Sequence, residues 1–254
     1  MSKKYFTDPR INASLLKMAL TETPLRLKWL RENGKTSDAL KLGIEVHSAL
    51  EHQGKMSDKL IISPYDAYQS KDAKKWKADQ EEAGLTPIKQ KEYDKIKSMV
   101  SMVWNNCPTF LRDIIQSGST LREHEVYSEK FKSLEDIYCP QNKIILDYKS
   151  TAETTPEGFK RSCYKFKYDL QAFHYLMNHE GAQRFIIVGV SSAEPHELFP
   201  LEASDFFLAH GEHLFNIAMK NLEKSIAPPE LDMIDAPPWW TETPSSGEDL
   251  STFY

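Results

Sequence analysis

Cysteine is scarce: Cys107, Cys139 and Cys163 in 254 residues are too few, odd in number and too widely spaced for a disulfide framework or a zinc knuckle. Long apolar runs are missing too. No window approaches the roughly 18 apolar residues of a membrane span, and the amino terminus, MSKKYFTDPR, has no apolar signal core. The chain is expected to be neither secreted by the usual route nor membrane-embedded, with a reducing cytoplasm as its simplest home. Positive charge is not in excess. At a net charge of -5, any nucleic-acid binding has to come from a local patch on a mildly acidic body. Internal repeats are absent. What remains is the composition of an ordinary globular protein, 40% hydrophobic and 27% charged, with enough chain for one sizeable core. The expected organisation is a single domain over 1–226 with a helical amino-terminal part, then a Pro- and Ser-rich tail over 227–254 that Trp239 and Trp240 could dock.

Residues 11 to 33 carry two short helix candidates, the first capped by Asn12 or Ser14, the second by Thr23 with Pro24 at the first helical position. Leu25, Leu27, Trp29 and Leu30 supply apolar surface there. A third helix is predicted from Ser37 through LKLGIEVHSALEH, where Leu40, Ile44, His47 and Glu51 recur at three- and four-residue intervals. His47 and Glu51 share a face and can point into one site. A histidine on an apolar stripe is more often a hydrogen-bonded core residue than a ligand. Residues 54 to 88 have no clean period, and the lysine-rich run from Lys71 to Lys77 reads as a solvated helix face. An amphipathic helix follows on Ile96, Val100, Val103 and Trp104, then a short successor with Phe110, Leu111, Ile114 and Ile115, closed by Gly118.

The period then changes. LREHEVYSEKF, LEDIY and KIILDYKS read as three consecutive strands of an antiparallel meander, with Cys139 to Asn142 turning between the last two. Glu157 to Tyr164 and KFKYDLQAFHYLMNH form a helix pair, RFIIVGVS a buried strand, HELFPL its partner, and residues 204–224 a long amphipathic helix. The class is mixed α/β, a strand meander flanked by helices.

Within the meander, Ile144, Ile145 and Leu146 lead directly into Asp147, Tyr148, Lys149 and Ser150, so a buried strand ends in a carboxylate and an amine. Alternation puts Asp147 and Lys149 on one face, separated by roughly two 3.3 Å rises, close enough to serve one phosphate and one metal ion. Asp-x-Lys alone is a weak signal. Asp72-Ala73-Lys74 repeats it inside the polar run KDAKKWKADQEE, where it reads as solvated surface. A phosphodiesterase needs a second acidic oxygen to hold a hard divalent cation, and Asp136 stands eleven positions before Asp147, on the adjacent antiparallel strand. Downstream, Tyr168, Gln171 and Tyr175 lie one turn apart along one helix face, which would suit a core helix as well as a site. Lys160, Arg161, Lys165 and Lys167, interleaved with Phe159, Tyr164, Phe166 and Tyr168, are the best candidates for phosphate-backbone binding; a basic helix end balancing the acidic remainder is the other reading.

The array Asp136, ten residues, Asp147-Tyr148-Lys149 resembles the PD-(D/E)xK nuclease superfamily. Over most of its length the chain is similar to the exodeoxyribonuclease VIII-type (RecE-like) nuclease domain of bacterial and phage recombination systems. The pieces that carry this likeness are NASLLKMALTETPLRLK, LKLGIEVHSALE, EDIY, IILDYKST and KYDLQAFHY. The resemblance implies a restriction-endonuclease-like core and a Mg²⁺ site, with Mn²⁺ as substitute. Its ligands would be His47, Asp136, Asp147 and the Tyr148 carbonyl, with Lys149 assisting hydrolysis, Gln171 and Tyr175 organising the site, and Glu51 supporting it. Leu134-Glu135-Asp136 stands where the family has Arg-Pro before its aspartate, so the first acidic ligand falls on Asp136 or Glu135, and strand alternation favours Asp136. The implied activity is exonucleolytic resection of double-stranded DNA ends for single-strand annealing, with an annealing protein as partner and a homo-oligomeric ring as assembly. A structure-specific endonuclease and a DNA-end-binding module without catalysis are the alternatives.

Overall fold

The structure, a computed structural model, describes residues 3–33, 38–52 and 54–224, without the side chains of Lys3 and residues 38–40. The expected helix start at Ser37, the Leu40 side chain, the domain boundary at 226/227 and the tail with Trp239 and Trp240 lie outside the described residues.

Four helices open the chain: α1 (Lys3–Thr7), α2 (Ala13–Thr21), α3 (Pro24–Asn33) and α4 (Asp38–Glu51). Asn12, not Ser14, caps α2, its side chain accepting from the Leu15 amide at 2.9 Å. Thr23 accepts from the Arg26 amide at 3.3 Å, ahead of Pro24, whose absent N–H is one that a helix start leaves unpaired anyway. Losing such a cap costs about 1 kcal/mol. Next come β1 (Leu60–Ile62), α5 (Lys71–Glu82) and β2 (Thr86–Ile88). The two strands pair in parallel across α5, which carries the lysine run. Three residues are too short a strand to display a period, which is why residues 54–88 read as patternless.

After α6 (Gln90–Asn106) and α7 (Thr109–Gln116) come β3 (Leu121–Tyr127), β4 (Lys132–Cys139), β5 (Ile144–Thr151), α8 (Pro156–Lys165), α9 (Tyr168–Asn178), β6 (Arg184–Ser191), β7 (Leu198–Glu202) and α10 (Asp205–Leu222). The sheet order is β3-β4-β5-β6-β7. The first three strands form the expected antiparallel meander. β6 joins parallel to β5, which its crossover through α8 and α9 is long enough to allow, and β7 returns antiparallel.

Helices cover both faces of this sheet, so successive residues of β5 are buried alternately on opposite sides. Ile144, Leu146 and Tyr148 pack with Val46 and Leu50 of α4 and Met99 and Val103 of α6. Ile145 packs on the other side with Phe159 and Cys163 of α8 and Tyr175 of α9. A third cluster joins α2, α3, α9 and α10 through Leu16, Leu27, Leu170 and Ala218. Two apolar stripes differ from expectation. Leu25 and Trp29 are exposed while Leu27 and Leu30 are buried, and Ile44 is exposed because the inward stripe of α4 is Val46, Ala49 and Leu50. That rotation turns His47 and Glu51 toward a cavity wall instead of the core. No described helix is long and apolar enough to cross a membrane.

Candidate active site

The site forms where β4 and β5 part. Their ladder pairs Ile137 with Leu146, Tyr138 with Ile145 and Cys139 with Ile144, then stops. Beyond it, the Tyr148 N–H donates to Asp136 Oδ2 at 2.7 Å in place of a strand carbonyl. The alternation of β4 slips at the same place. Ser133 and Glu135 face the end of α9, accepting from Asn178 at 3.0 Å and from His179 at 2.9 Å. Strict alternation would put Ile137 on that side, yet Tyr138 is the residue that meets the His179 ring, while Ile137 lies in the α4–α6 core. Alternation turns Asp136 into the opening and Glu135 away from it, and the change of phase then puts Tyr138 on the side of Glu135.

Gly43 and His47 stand one turn apart on α4. A Cβ on Gly43 would lie 3.2 Å from Ser150 Oγ, tighter than ordinary packing, so glycine lets the helix approach β5 closely. That approach brings His47 Nδ1 to 3.3 Å from Asp136 Oδ2, with its ring edge-on to Tyr148.

On β5, Lys149 Nζ lies against Asp147 Oδ2 and donates to the Tyr148 carbonyl at 3.3 Å. Gln171 of α9 donates from Nε2 to Asp147 Oδ1 at 2.7 Å, and its Oε1 accepts from Lys17 of α2 at 2.7 Å. The amide orientation follows from its partners, since an ammonium only donates and a carboxylate only accepts. Both ammonium groups lie over the Tyr168 ring, Lys17 at 4.8 Å and Lys149 at 5.1 Å from its centroid, within cation–π range.

These groups set one another's charge. Burial alone would raise Asp136, but the charge and hydrogen bond of His47, then Lys149, hold it below the usual carboxylate range. Burial raises Asp147, Lys149 opposes, and the Asp136 charge adds to the rise. Burial would lower Lys149, yet the two aspartates raise it, so it stays charged. Lys17 is pushed down to about 7 by burial and by the Lys149 charge, against Asp147 and Asp169.

The cavity above has a volume of about 730 Å³ and is lined by His47, Glu51, Asp136, Lys149, Lys165, Phe166 and Tyr168, among others. Tyr175, expected beside Gln171, packs beneath the site edge-on to Phe185. Burial and then the Asp147 charge raise its hydroxyl well above the usual value, and it hydrogen-bonds neither Gln171 nor Lys149. The four cations of the basic segment do not share one cavity. Lys165 lines the cavity, Lys160 lines a separate hollow with Cys163 and Phe207, and Arg161 and Lys167 line neither. Of the interleaved aromatics, Phe166 and Tyr168 line the cavity together with the buried Phe159, while Tyr164 packs edge-on to Phe207.

Lys17, and Tyr168 as a seat for two cations, went unrecognised in the sequence. The available signal was a lone charge in the otherwise apolar stretch ASLLKMALT. Two carboxylates, an imidazole and a nearby main-chain carbonyl make an oxygen-rich donor set of the kind that divalent cations of the Mg²⁺ class take, and the residues fit such an ion.

A family model described as a PDDEXK-like domain of unknown function (DUF3799) matches residues 18–227. No curated protein matches the sequence. Among solved structures, a protein from Eubacterium rectale named "Putative exonuclease" is similar at 15% identity and a TM-score of 0.59, over 87% of this chain and 85% of that one. At that identity it speaks for the fold alone. A phage related exonuclease from Haemophilus somnus 129PT aligns at 13% identity and a TM-score of 0.38, over 87% of this chain and 96% of that one.

Proposed function

We propose that the chain, which belongs to the family of PDDEXK-like domains of unknown function (DUF3799), is a divalent-metal-dependent deoxyribonuclease that resects linear double-stranded DNA from its ends. The observation that carries this reading is the meeting of His47, Asp136 and Lys149 on the wall of one cavity between parted strands, with Asp147 buried against Lys149 and held by Gln171.

His47, Asp136, Asp147 and the Tyr148 carbonyl would hold Mg²⁺, or Mn²⁺ in its place, which when bound polarises the scissile phosphate and lowers the pKa of water. Lys149 stays charged beside Asp147, so its ammonium is available to orient the attacking water or to offset charge building on the phosphoryl oxygens. Gln171, tethered by Lys17, fixes the rotation of the Asp147 carboxylate. Tyr175 supports α9 from below, and Glu51 completes the cavity wall beside His47. Lys165 offers a charge to a backbone phosphate and Phe166 a ring to an unstacked base, while Lys160 and Arg161 on α8 and Lys167 at the start of α9 extend positive charge for more distant duplex.

Resection of this kind exposes single strands for an annealing protein, in the cytoplasm of a bacterial or phage-infected cell, and a ring of copies around the duplex is the assembly that would keep the enzyme on its end. The test is digestion of linear duplexes labelled separately at the 5′ and 3′ ends, with covalently closed circles as control. Loss of one labelled end ahead of the other, with circles intact, is expected. Rapid cutting of circles would transfer the activity to an endonuclease, and no hydrolysis with Mg²⁺ or Mn²⁺ would leave a DNA-end-binding module.

A further inference from the structure

On the other side of β4, three side chains converge for which the nuclease reading has no use. The Glu135 carboxylate is wholly buried, with His124 Nδ1 at 3.1 Å from its Oε2 and His179 Nδ1 at 2.9 Å from its Oε1. One ligand atom from each residue lies within 4.8 Å of the other two. We propose that His124, Glu135 and His179 form a second cation site, selective for a transition metal of the Zn²⁺ class, with water completing its coordination.

Four observations support this. First, the spacing fits: a tetrahedral zinc with bonds of about 2.0 to 2.1 Å holds its ligand atoms roughly 3.3 Å apart, so closing around an ion requires only small side-chain movements. Second, the donors are right. Two imidazoles and a carboxylate suit zinc or cobalt, whereas Mg²⁺ prefers an all-oxygen shell. Third, the rings are held from behind. Tyr138 stacks on His124 at 5.7 Å and lies 4.1 Å from the His179 ring, and its hydroxyl is anchored by donating to the Gly181 carbonyl at 2.9 Å. Outer partners of this kind orient ligands before the ion arrives. Fourth, among the described residues no lysine or arginine pairs with Glu135, so a buried carboxylate has no permanent cation beside it.

Entry is open, because His124 is 28% exposed while Glu135 is closed off. The three ligands come from β3, β4 and the residue that follows α9. A bound ion would therefore clamp the end of α9 to the meander, reinforcing the Asn178 bonds to Ser133 and to the Val126 carbonyl. Since α9 also carries Gln171, the clamp would steady the residue that holds Asp147.

The experiment requires no DNA and so stands apart from the nuclease reading. Full-length protein carrying Asp136→Asn and Asp147→Asn is stripped with chelator and titrated with Zn²⁺ or Co²⁺. The expected result is one retained equivalent by elemental analysis, visible Co²⁺ absorption bands of a four-coordinate site, and a Tm raised by Zn²⁺ but not by Mg²⁺. Adding His124→Gln should weaken binding by more than about 100-fold, beyond the cost of losing an outer partner, and abolish the Tm rise. Glu135→Gln should do the same; if that variant does not fold, His124→Gln, partly exposed on its strand, decides. In the wild-type chain His124→Gln should remove one equivalent. Absence of retained zinc, or affinity unchanged by His124→Gln, would reduce the triad to a hydrogen-bonded cluster and overturn the proposal.

Discussion

Asp136 and Glu135 are neighbours in the chain and sit in opposite environments. Asp136 faces a solvent-reaching cavity, beside a main-chain N–H, an imidazole and, across the opening, a second carboxylate and an ammonium. Glu135 is closed off from solvent between two imidazoles, both of which meet the Tyr138 ring. The same functional group is thus offered to two kinds of chemistry, and the neighbours decide which. Strand alternation separates the two carboxylates, and the slip in β4 between Glu135 and Tyr138 gives Glu135 its surroundings. Without it, Ile137 would take the place of Tyr138 beside His179.

The comparison can be broken most forcefully by neutralising each side in turn. Asp147→Asn and Lys149→Ala should each lower digestion of linear duplex by more than about 1,000-fold with DNA binding retained, the scale at which several kcal/mol of transition-state stabilisation is lost. Glu135→Gln, assayed in the same excess of Mg²⁺, should stay within about tenfold of wild type. Near-normal digestion by Asp147→Asn, or its collapse in Glu135→Gln, would reverse the roles of the two sides.

A smaller effect is expected one step back from the cavity side. Gln171→Ala should lower kcat by about 10- to 100-fold with little change in KM, as for loss of a group that orients a ligand without touching substrate. A change confined to KM would move Gln171 from positioning Asp147 to binding DNA.

The cavity rim offers a finer test of where DNA lies. Lys165→Ala should weaken duplex binding and reduce the slope of log K against log salt by about one, whereas Lys160→Ala, at a separate hollow, should change the slope less. Equal effects would mean that the duplex runs along α8 instead of over the site.

The smallest expected effect is a pH signature. Lys17 gives up its proton at about 7 in the folded chain and at the usual 10.5 when unfolded. Between those values the unfolded state binds more protons, so this group's contribution makes the fold more stable as pH rises, and below pH 7 the slope vanishes. Thermal melts of wild type and Lys17→Met across pH 6.5 to 9.5 should show the wild type gaining on the variant. Parallel melts would place Lys17 in solvent, away from Gln171.

Much of the site was legible because its parts obey local periods. The two-residue repeat of a strand puts Asp147 and Lys149 together, the helical repeat puts His47 with Glu51, and the switch of period after Gly118 marks the meander. Other features obey no local rule. The four cations around α8 look like one patch when read along the chain, but a helix projects successive side chains to different sides, and only Lys165 reaches the cavity. Ile44 looks like core and is exposed, because the packing of α6 selects Val46 and Leu50 as the inward stripe.

The sequence by itself determined the class of the fold, the order of its elements, and the strand on which a carboxylate and an amine must meet, because hydrophobic period and capping act over a few residues. Tertiary structure alone decided that Tyr138 joins Glu135 on one side of β4, that Lys17 reaches Gln171 across 154 positions, and that His179 comes back to Glu135 across 44. Those meetings depend on where a ladder stops and how closely a helix lies on a sheet. Both are settled only when the two faces of the sheet are covered at once.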